Sequence, residues 1–422
     1  MGAEMAMTYD VVVIGGGAGG VGAAVGAAQA GARVLLVDGA GALGGAASIR
    51  GVITYCGVWT LGDTPRQVLG GVGADVLARL ATRGAISGPQ RFRGVFATFD
   101  PEANKIVLDE VCADAGVDVR LHSRLIAATR DRGQITSVTL HDHSGAHIVH
   151  ARAFVDASGE ADLAFFAGAS TRYGNDGAAN LGSLATRFGG IPKDVTITAD
   201  QFCAAVTAAK ARGEGPFAKD RSVIPRLPIS HDLVLYVASV DYDQRDAGAH
   251  SRAEAEGRRQ SQAYLGALRT IQGCEDAYIV STGPEFGVRE SRHLNAVRQM
   301  TWDDVQARAR YDDCIALGAW GAEWHDRATL VSTMDFAPDK GMYGIPLSCL
   351  QSADTGNLFA AGRTADGDRL AGAAIRVMGT ALATGQAAGV AAALGADAQV
   401  VRAELRRQGG ALNVADLDRL GL

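Results

Sequence analysis

The chain has 422 residues, of which 47% are hydrophobic and 20% are charged, a composition typical of a globular protein with room for two sizeable cores. Its formal net charge of −6, without a long basic run, argues against nucleic acid or an anionic membrane surface as a partner. The N-terminus has no basic segment followed by an apolar one, so we expect no secretory signal and a cytoplasmic location. Six scattered cysteines without a C-x-x-C pair indicate neither a zinc site nor a dithiol redox motif.

The segment from Tyr9 to Asp38 predicts a βαβ unit that binds a nucleotide. Val11 to Ile14 and Arg33 to Val37 are apolar runs typical of buried parallel strands, and the many glycines disfavour a membrane span. Asp38 ends the second strand, where an acid can accept hydrogen bonds from a ribose. The G-x-G-x-x-G spacing allows a tight turn, close approach of a pyrophosphate and close packing of a helix, in a turn that contains Gly15, Gly17, Ala18, Gly19 and Gly20.

Two segments that follow are candidates for the walls of a site. Gly44, Gly45 and Ser48 belong to a second small-residue loop, which can pass close to a bound cofactor. Residues 53–60 are apolar and aromatic and include Tyr55 and Cys56. This second segment is either core or subunit contact, or a wall of an active site.

Regular structure is predicted beyond these loops. We expect helices over residues 66–83 and 102–116, a strand over 117–121, and a strand, turn and strand over 134–155. The hairpin contains a group of four histidines: His141, His143, His147 and His150. Because three of them share one strand parity and no carboxylate or thiolate completes a ligand shell, we expect an exposed strand face and no metal site.

The second half of the chain divides into a substrate segment and a return to the first domain. Residues 154–169 repeat the strand-turn-helix pattern, with Ala157, Ser158 and Gly159 in the turn, where doubly wound sheets hold ligands. We predict a nucleotide-binding domain of residues 1–171 and 336–422, with an inserted substrate domain of 172–335. Residues 371–394 are predicted to form one helix of small residues that packs on the sheet.

Taken in order, six segments of the chain resemble the FAD-dependent oxidoreductases of the two-dinucleotide-binding type. They span residues 10 to 395 and read VVVIGGGAGGVGAAVGAAQAG, LGGAAS, FVDASGEADLAFFAGA, GPEFGVRESRHL, GIPLSCL and NLFAAGRTADGDRLAGAAIRVMGTALATGQAAGVAAAL. The resemblance implies an α/β fold: a Rossmann-like FAD-binding domain, with a parallel sheet, helices and an antiparallel β element, plus an inserted α+β substrate domain.

The resemblance also implies which residues hold FAD. The first glycines would bind the pyrophosphate and Asp38 the adenosine ribose, although relatives more often have glutamate there. Leu125 would meet the adenine, and the backbone of Ala374 and Ile375, at the start of a helix, would face the flavin. The other implied contacts are Gly44, Gly45, Ser48, Ala157, Ser158, Gly159, Gly362 and Arg363.

The resemblance implies hydride transfer between FAD and a small organic substrate bound between the two domains. His231 is our first choice for the general acid or base, with Arg369, Arg289, Cys56 and Tyr55 as further candidates. Relatives often carry a histidine near the position of Arg369, and a guanidinium is a poor proton shuttle.

The route of the electrons stays open at the level of sequence. Only one complete strand-glycine-helix-acid unit is evident, so we expect no NAD(P)H-binding domain, and the electron acceptor would be a carrier protein, a quinone or oxygen. A flavoprotein subunit of an electron-transfer complex and a non-redox nucleotide-binding protein remain alternatives. The oligomeric state, including a homo-oligomer, is open.

Overall fold

The computed structural model describes residues 7–422 and shows a mixed α/β fold arranged around one mainly parallel sheet. The strands, in chain order, are β1 (Met7–Ile14), β2 (Val34–Val37), β3 (Thr54–Cys56), β4 (Gln90–Phe92), β5 (Gly94–Thr98), β6 (Asp118–Arg120), β7 (Arg124–Asp131), β8 (Gln134–Asp142), β9 (Gly145–Asp156), β10 (Thr171–Tyr173), β11 (Leu184–Gly189), β12 (Leu233–Ala238), β13 (Tyr278–Thr282), β14 (Arg292–Leu294), β15 (Cys314–Gly318), β16 (Ala322–His325), β17 (Ser332–Asp335), β18 (Tyr343–Pro346) and β19 (Leu358–Ala360). The α-helices are α1 (Ala18–Gln29), α2 (Gly71–Thr82), α3 (Pro101–Asp114), α4 (Asp162–Phe166), α5 (Ala199–Ala211), α6 (Ala247–Leu268), α7 (Trp302–Gln306), α8 (Arg369–Ile375), α9 (Met378–Leu394), α10 (Ala398–Arg407) and α11 (Val414–Leu420).

The parallel part of the central sheet brings four strand ends into one row. The strand order is β6-β2-β1-β9-β8-β7, and β19 pairs with β9 in parallel. Ile14 at the end of β1 pairs with Val37 of β2 and with Asp156 of β9, which in turn pairs with Ala360 of β19. The loops that follow these strands therefore leave the sheet side by side, at the edge where open α/β sheets bind ligands.

Most of the predicted elements of the first domain are confirmed. The first βαβ unit is β1, α1 and β2, the hairpin of 134–155 is β8 and β9, and the next strand-turn-helix is β9 and α4. The helix predicted over 66–83 is shorter, because α2 begins only at Gly71. The strand predicted over 117–121 is β6, which pairs with β2 at one edge of the sheet.

The prediction of a single helix over 371–394 is wrong. The chain breaks between Ile375 and Met378 into α8 and α9, whose axes differ by 91°. In residues 7–422 no single helix has the length and apolarity to span a membrane, and α8 with α9 meets that test only as this bent pair.

The contact between α1 and α9 is made by backbone. A Cβ added at Gly385 would lie 2.0 Å from the carbonyl oxygen of Gly19, and one added at Gly389 would lie 1.9 Å from that of Ala23. Gly22 and Gly26 of α1 meet α9 as closely from the other side. The predicted close packing of the small-residue helix is thus found, with α1 as its main partner.

A second hydrophobic core lies in the inserted segment. It is formed by the antiparallel sheet β12-β11-β13 with α5 and α6, and its buried members fall between Leu184 and Phe286. Met300, Val305 and Ile315 pack instead in the core of the parallel sheet. The boundaries at 172 and 335 stay a prediction, and we propose from this packing a narrower substrate domain of about residues 184–286.

The α1–α9 contact predicts that Gly389→Ala destabilises the fold. The added methyl group overlaps the Ala23 carbonyl, and overpacking of this kind costs about 1–3 kcal/mol. We expect the free energy of unfolding, measured by urea denaturation, to fall by about that amount.

Gly266→Ala in α6 is the matched control, since no atom lies within 4 Å of its added Cβ. Alanine is the better helix former, so this variant should gain about 0.5–1 kcal/mol. Equal effects of the two substitutions would contradict the packing argument.

Candidate functional site between the sheet and the inserted segment

The three small-residue turns predicted to converge do meet in the structure. A Cβ added at Gly15 would lie 2.3 Å from the carbonyl oxygen of Ala157, and one added at Gly19 would lie 3.1 Å from the backbone of Ala361. A Cβ at Gly159 would lie 2.2 Å from a guanidinium nitrogen of Arg363. The first two contacts are made by backbone and the third by the Arg363 side chain, so three distant parts of the chain meet at one surface.

The second glycine loop joins this surface. The Gly44 N–H donates to the Gly16 carbonyl at 2.8 Å, and Gly17 and Gly44 form an isolated parallel bridge. The hydroxyl of Ser48 is buried and has no hydrogen-bond partner within residues 7–422. An unpaired buried hydroxyl beside a glycine loop is suited to donate to a phosphate oxygen.

Asp38 holds the glycine turn through its carboxylate. One carboxylate oxygen accepts from the Gly16 N–H at 2.6 Å and the other from the Ala40 N–H at 2.7 Å. Its backbone carbonyl accepts from the Ser123 N–H, which brings the start of β7, with half-buried Leu125, to the same end of the sheet. Each carboxylate oxygen retains a lone pair for a ribose hydroxyl.

Two helix N-termini fit the anionic groups of FAD. Helices α3, α5, α6 and α10 are capped by an Asp or Thr side chain, and the Val72 N–H of α2 donates to Gln386 Oε1. By contrast, α1 and α9 have neither a side-chain cap nor an acid in the first turn. The nearest atom to a Cβ added at Gly17, the N-cap of α1, is 4.0 Å away, so a pyrophosphate has room to approach these N–H groups. The residues present fit the cofactor that the resemblance implies.

Ala374 and Ile375 do not lie at the start of a helix as predicted. They form the last turn of α8, and both are fully buried. The N–H groups left free by the break belong to the first turn of α9, which begins at Met378 after Val377. The contact expected from Ala374 and Ile375 is therefore better placed on the α9 end.

A cavity of about 230 Å³ opens between these loops and the inserted segment. One wall comes from the cofactor side, including Arg363, Val377 and Met378, and a second from β3 and β5. The inserted segment contributes Lys219 and Tyr236. The remaining residues that matter for its chemistry are Arg50, Cys56, Arg289, Trp320, Glu323, His325 and Arg376.

Three titratable side chains form a chain of contacts along this cavity. Lys219 Nζ lies 3.2 Å from His325 Nδ1, and His325 Nε2 lies 3.2 Å from Glu323 Oε1. An ammonium on Lys219 donates to Nδ1, which places the proton of the neutral imidazole on Nε2, towards Glu323. Arg376 donates to the Glu323 backbone carbonyl at 3.2 Å and holds this strand end in place.

Burial and neighbouring charges set the protonation of these groups. Burial and the nearby Arg289 lower the pKa of Lys219 to about 7, against the opposing effect of Glu323. Burial and the cations Arg289 and Lys219 lower the pKa of His325 to about 3, so the imidazole is neutral. Burial alone would raise the pKa of Glu323, but the contact with His325 and the charges of Arg376 and Arg289 hold it well below its usual range.

Two of the predicted catalytic residues line the cavity. Arg289 Nη1 donates to the Leu181 carbonyl and to Ser183 Oγ, both at 2.7 Å, and the rest of its guanidinium borders the cavity. Cys56 also lines it, but burial, together with the charge of Glu323, raises the pKa of its thiol to about 12. A thiolate at Cys56 is thus disfavoured at neutral pH.

The structure places the other three catalytic candidates away from the cavity. Tyr55 is 1% exposed and donates to Asn104 Oδ1 at 2.7 Å, because successive side chains of β3 point to opposite faces. His231 is exposed in a turn with a φ of 65°, and Arg369 is exposed with its guanidinium 4.2 Å from the ring centroid of Trp324. We therefore no longer favour Tyr55, His231 or Arg369 as catalytic residues.

The sequence motif around Arg289 divides between the cavity and the scaffold. Glu290 is buried, lies 2.9 Å from His293 Nε2 and accepts from the Asn180 N–H at 2.7 Å. Arg292 contacts Asp162 at 3.1 Å. Of the charged residues Arg289, Glu290 and Arg292, only Arg289 lines the cavity, so the ion-pair interpretation holds for the other two.

Sequence reasoning missed Lys219, Glu323 and Arg376. Lys219 and Glu323 stand in segments without a motif, whereas Arg376 lies in the last of the segments that resemble the family. The three come together only through the fold of the inserted segment over the sheet. The one signal in the sequence was Arg376, a charged residue that interrupts the run of small and apolar residues predicted as one helix. It lies at the break between α8 and α9.

Comparison with known proteins gives a family and several distant structures. The family described as FAD dependent oxidoreductase matches residues 10–414. No curated protein matches significantly. A geranylgeranyl bacteriochlorophyll reductase-like protein from Thermoplasma acidophilum is 12% identical, with 98% of this chain and 82% of that chain covered and a TM-score of 0.46. The anhydrotetracycline hydroxylase OxyS from Streptomyces rimosus is 12% identical, with 95% of this chain and 66% of that chain covered and a TM-score of 0.46.

The open space at Gly17 predicts a variant that folds but binds FAD weakly. Gly17→Ala adds a methyl group that meets no protein atom closer than 4.0 Å. The φ of Gly17 is −71°, which alanine adopts readily. The added methyl group occupies the path of the pyrophosphate, so we expect FAD affinity to fall about 10-fold or more while the apoprotein melts at an unchanged temperature. Quenching of FAD fluorescence on titration measures the affinity.

Gly62→Ala is the control for this change, because no atom lies within 4 Å of its added Cβ and it lies outside the glycine loops. Unchanged FAD affinity in Gly17→Ala would show that the pyrophosphate does not approach this turn.

Burial of Lys219 predicts a pH-dependent contribution to stability. Its pKa of about 7 in the folded protein lies below the ordinary 10.5, so across this window the unfolded chain binds more protons than the folded one. The loss of stability from holding a charged Lys219 in the folded protein is fully present below pH 7 and becomes smaller as the pH rises. The unfolding free energy of the wild-type apoprotein minus that of Lys219→Met should therefore increase between pH 7 and pH 9.

Lys210→Met, at an exposed position in α5, is the control and should give a flat difference over the same range. A flat difference for Lys219→Met as well would place Lys219 in contact with water.

Proposed function

Because the chain belongs to the FAD-dependent oxidoreductase family, we propose that it transfers a hydride between FAD and a small organic molecule held in the cavity. The observation that carries this proposal is the composition of the cavity. Its cofactor side presents the uncapped N-terminus of α9, and its other side presents the contacts of Lys219, His325 and Glu323. A hydride acceptor and a proton acceptor would thus face one bound molecule.

The FAD would be held by the backbone surface of the glycine turns. The N–H groups of α1 would bind the pyrophosphate, Asp38 the ribose, and the N-terminus of α9 the electron-rich edge of the flavin. When bound, FAD supplies the group that accepts or gives a hydride. These assignments rest on the open space at Gly17, the unpaired hydroxyl of Ser48 and the two uncapped helices.

Lys219 is the group we propose for proton transfer. An alcohol or amine that gives up a hydride from carbon must also lose the proton of its O–H or N–H group. Neutral Lys219 Nζ can take that proton, because burial brings its pKa to about 7. In the reverse direction the same ammonium returns the proton.

His325 and Glu323 position Lys219. Neutral His325 offers Nδ1 as an acceptor to the ammonium, which fixes Nζ at one place on the cavity wall. Glu323, anchored by Arg376, lies 3.2 Å from Nε2 and favours the tautomer in which Nδ1 is free to accept. The apolar wall, with Trp320 and Val377, excludes water from the reacting groups.

The partners of the reaction are proposals as well. The substrate would enter between the sheet domain and the inserted segment, and the electrons would pass onward to a carrier protein, a quinone or oxygen. The cytoplasmic location also stays a prediction.

The test is anaerobic bleaching of the flavin by a panel of small alcohols, amines and acids, with the reverse assay on dithionite-reduced enzyme and unsaturated acceptors. Lys219→Met should lower the bleaching rate by about 10²–10⁴-fold at unchanged FAD content, because a proton acceptor is lost. His231→Gln, at an exposed position outside the cavity, is the matched control and should keep the wild-type rate.

Two results would contradict the proposal. One is an equal loss of rate in the two variants, which would show that Lys219 has no special role. The other is rapid bleaching by NADPH alone, which would mean that a nicotinamide nucleotide is the partner.

A further inference from the structure

The charges that line the cavity are strongly unequal. Within residues 7–422, Glu323 is its single lining carboxylate, whereas the lining cations are Arg50, Arg93, Lys219, Arg221, Arg289, Arg363 and Arg376. The whole chain nevertheless has a net charge of −6, so this excess of cations is a local feature. A buried cation is costly unless an anion or hydrogen bonds compensate it.

Most of these cations are already compensated by protein carboxylates. Carboxylate oxygens lie within hydrogen-bond or ion-pair distance of four of them, and the pairs are Arg50 with Glu285 at 3.4 Å, Arg221 with Asp200 at 2.8 Å, Arg363 with Glu160 at 3.2 Å and Arg376 with Glu323 at 3.9 Å. Arg93 is exposed at the rim and contacts Ser332. Lys219 contacts the imidazole of His325. Among the lining arginines of residues 7–422, Arg93 and Arg289 have no carboxylate within ion-pair distance, and of these two Arg289 is the half-buried one.

Arg289 has the geometry of an anion receptor. Its Nη1 is held by the Leu181 carbonyl and Ser183 Oγ, and Nε and Nη2 make no hydrogen bond to residues 7–422. One half of the guanidinium is thus fixed, and the other half is available to form two parallel hydrogen bonds. Burial, with Arg376 nearby, lowers the pKa of Arg289 to about 10 despite the charge of Glu323, which shows how little the protein itself compensates this cation.

The rest of the cavity wall is largely apolar. The uncharged side chains that line the same cavity include Phe92, Phe96, Val223, Val288, Trp320 and Met334. A ligand that fills this space would have one anionic group and an apolar body. A carboxylate matches the two-nitrogen face of a guanidinium better than any neutral group.

We propose that the substrate is a carboxylic acid whose apolar body carries the reacting alcohol or amine, and that Arg289 binds its carboxylate while Lys219 faces that O–H or N–H group. This inference rests on the proposed function and names its substrate class. In this arrangement Arg289 contributes to affinity and Lys219 to the rate.

Calorimetric titration of the FAD-loaded protein tests the proposal without turnover. The probes are benzoate and hexanoate, with benzamide and hexanamide as neutral isosteres. We expect both acids to bind at least about 10-fold more tightly than their amides, and Arg289→Met to weaken the acids about 30-fold or more while leaving the amides unchanged. Arg289→Lys should restore part of the loss, and Arg252→Met on the surface of α6 should bind as the wild type does.

The outcomes separate this inference from the proposed function. Equal binding of acid and amide, failure of both acids to bind, binding of inorganic phosphate in their place, or no effect of Arg289→Met would overturn it. FAD content and melting temperature establish that each variant is folded. The comparison of acids with amides uses the wild-type protein and so does not depend on the folding of any variant. Acids that bind through Arg289 but never bleach the flavin would overturn hydride transfer and leave the carboxylate site standing.

Discussion

The contact on which the rest of the structure depends is the crossing of α1 and α9, where two helices meet through their backbones. Gly19 and Ala23 of one helix face Gly385 and Gly389 of the other, at separations that leave no room for a Cβ. Gly385, in the middle of α9, lies against Gly19 at the start of α1, while Gly379 in the first turn of α9 lies against the Cys56 backbone. The N-terminus of α1 thus lies at the glycine turn and that of α9 at the cavity. Neither orientation would survive side chains at this interface.

The row of strand ends provides the second constraint. Ile14, Val37, Asp156 and Ala360 are neighbours in the register of the parallel sheet, so the loops that follow them leave from one line. Asp156 itself is buried, and its carboxylate accepts from Ser158 and from the Ala164 N–H, which fixes the turn before α4. Burial, opposed by these hydrogen bonds, raises the pKa of Asp156 to about 6. A structural carboxylate can therefore have a perturbed pKa in this fold, and position has to be considered before pKa when a catalytic group is chosen.

The proposed function separates binding from chemistry. Helix ends and backbone N–H groups, which carry no titratable proton, would face the cofactor. The titratable groups come from outside the parallel sheet, with Lys219 in the inserted segment and Glu323 and His325 on β16. A change in the inserted segment can thus alter the substrate while the cofactor surface stays intact.

The sequence by itself determined the parts of the protein whose functional residues are close together along the chain. The strand, glycine turn, helix and acid of residues 9–38 are local, and Gly15, Gly17 and Gly20 were identified from their G-x-G-x-x-G spacing. Tertiary structure alone decided the break between α8 and α9, because a run of small residues has the same pattern whether the helix is straight or bent by 91°. Tertiary structure also favours Lys219 over His231 as the proposed proton-transfer group. The burial of each residue and its distance from charged residues elsewhere in the chain depend on how the inserted segment packs, and no spacing along the chain encodes them.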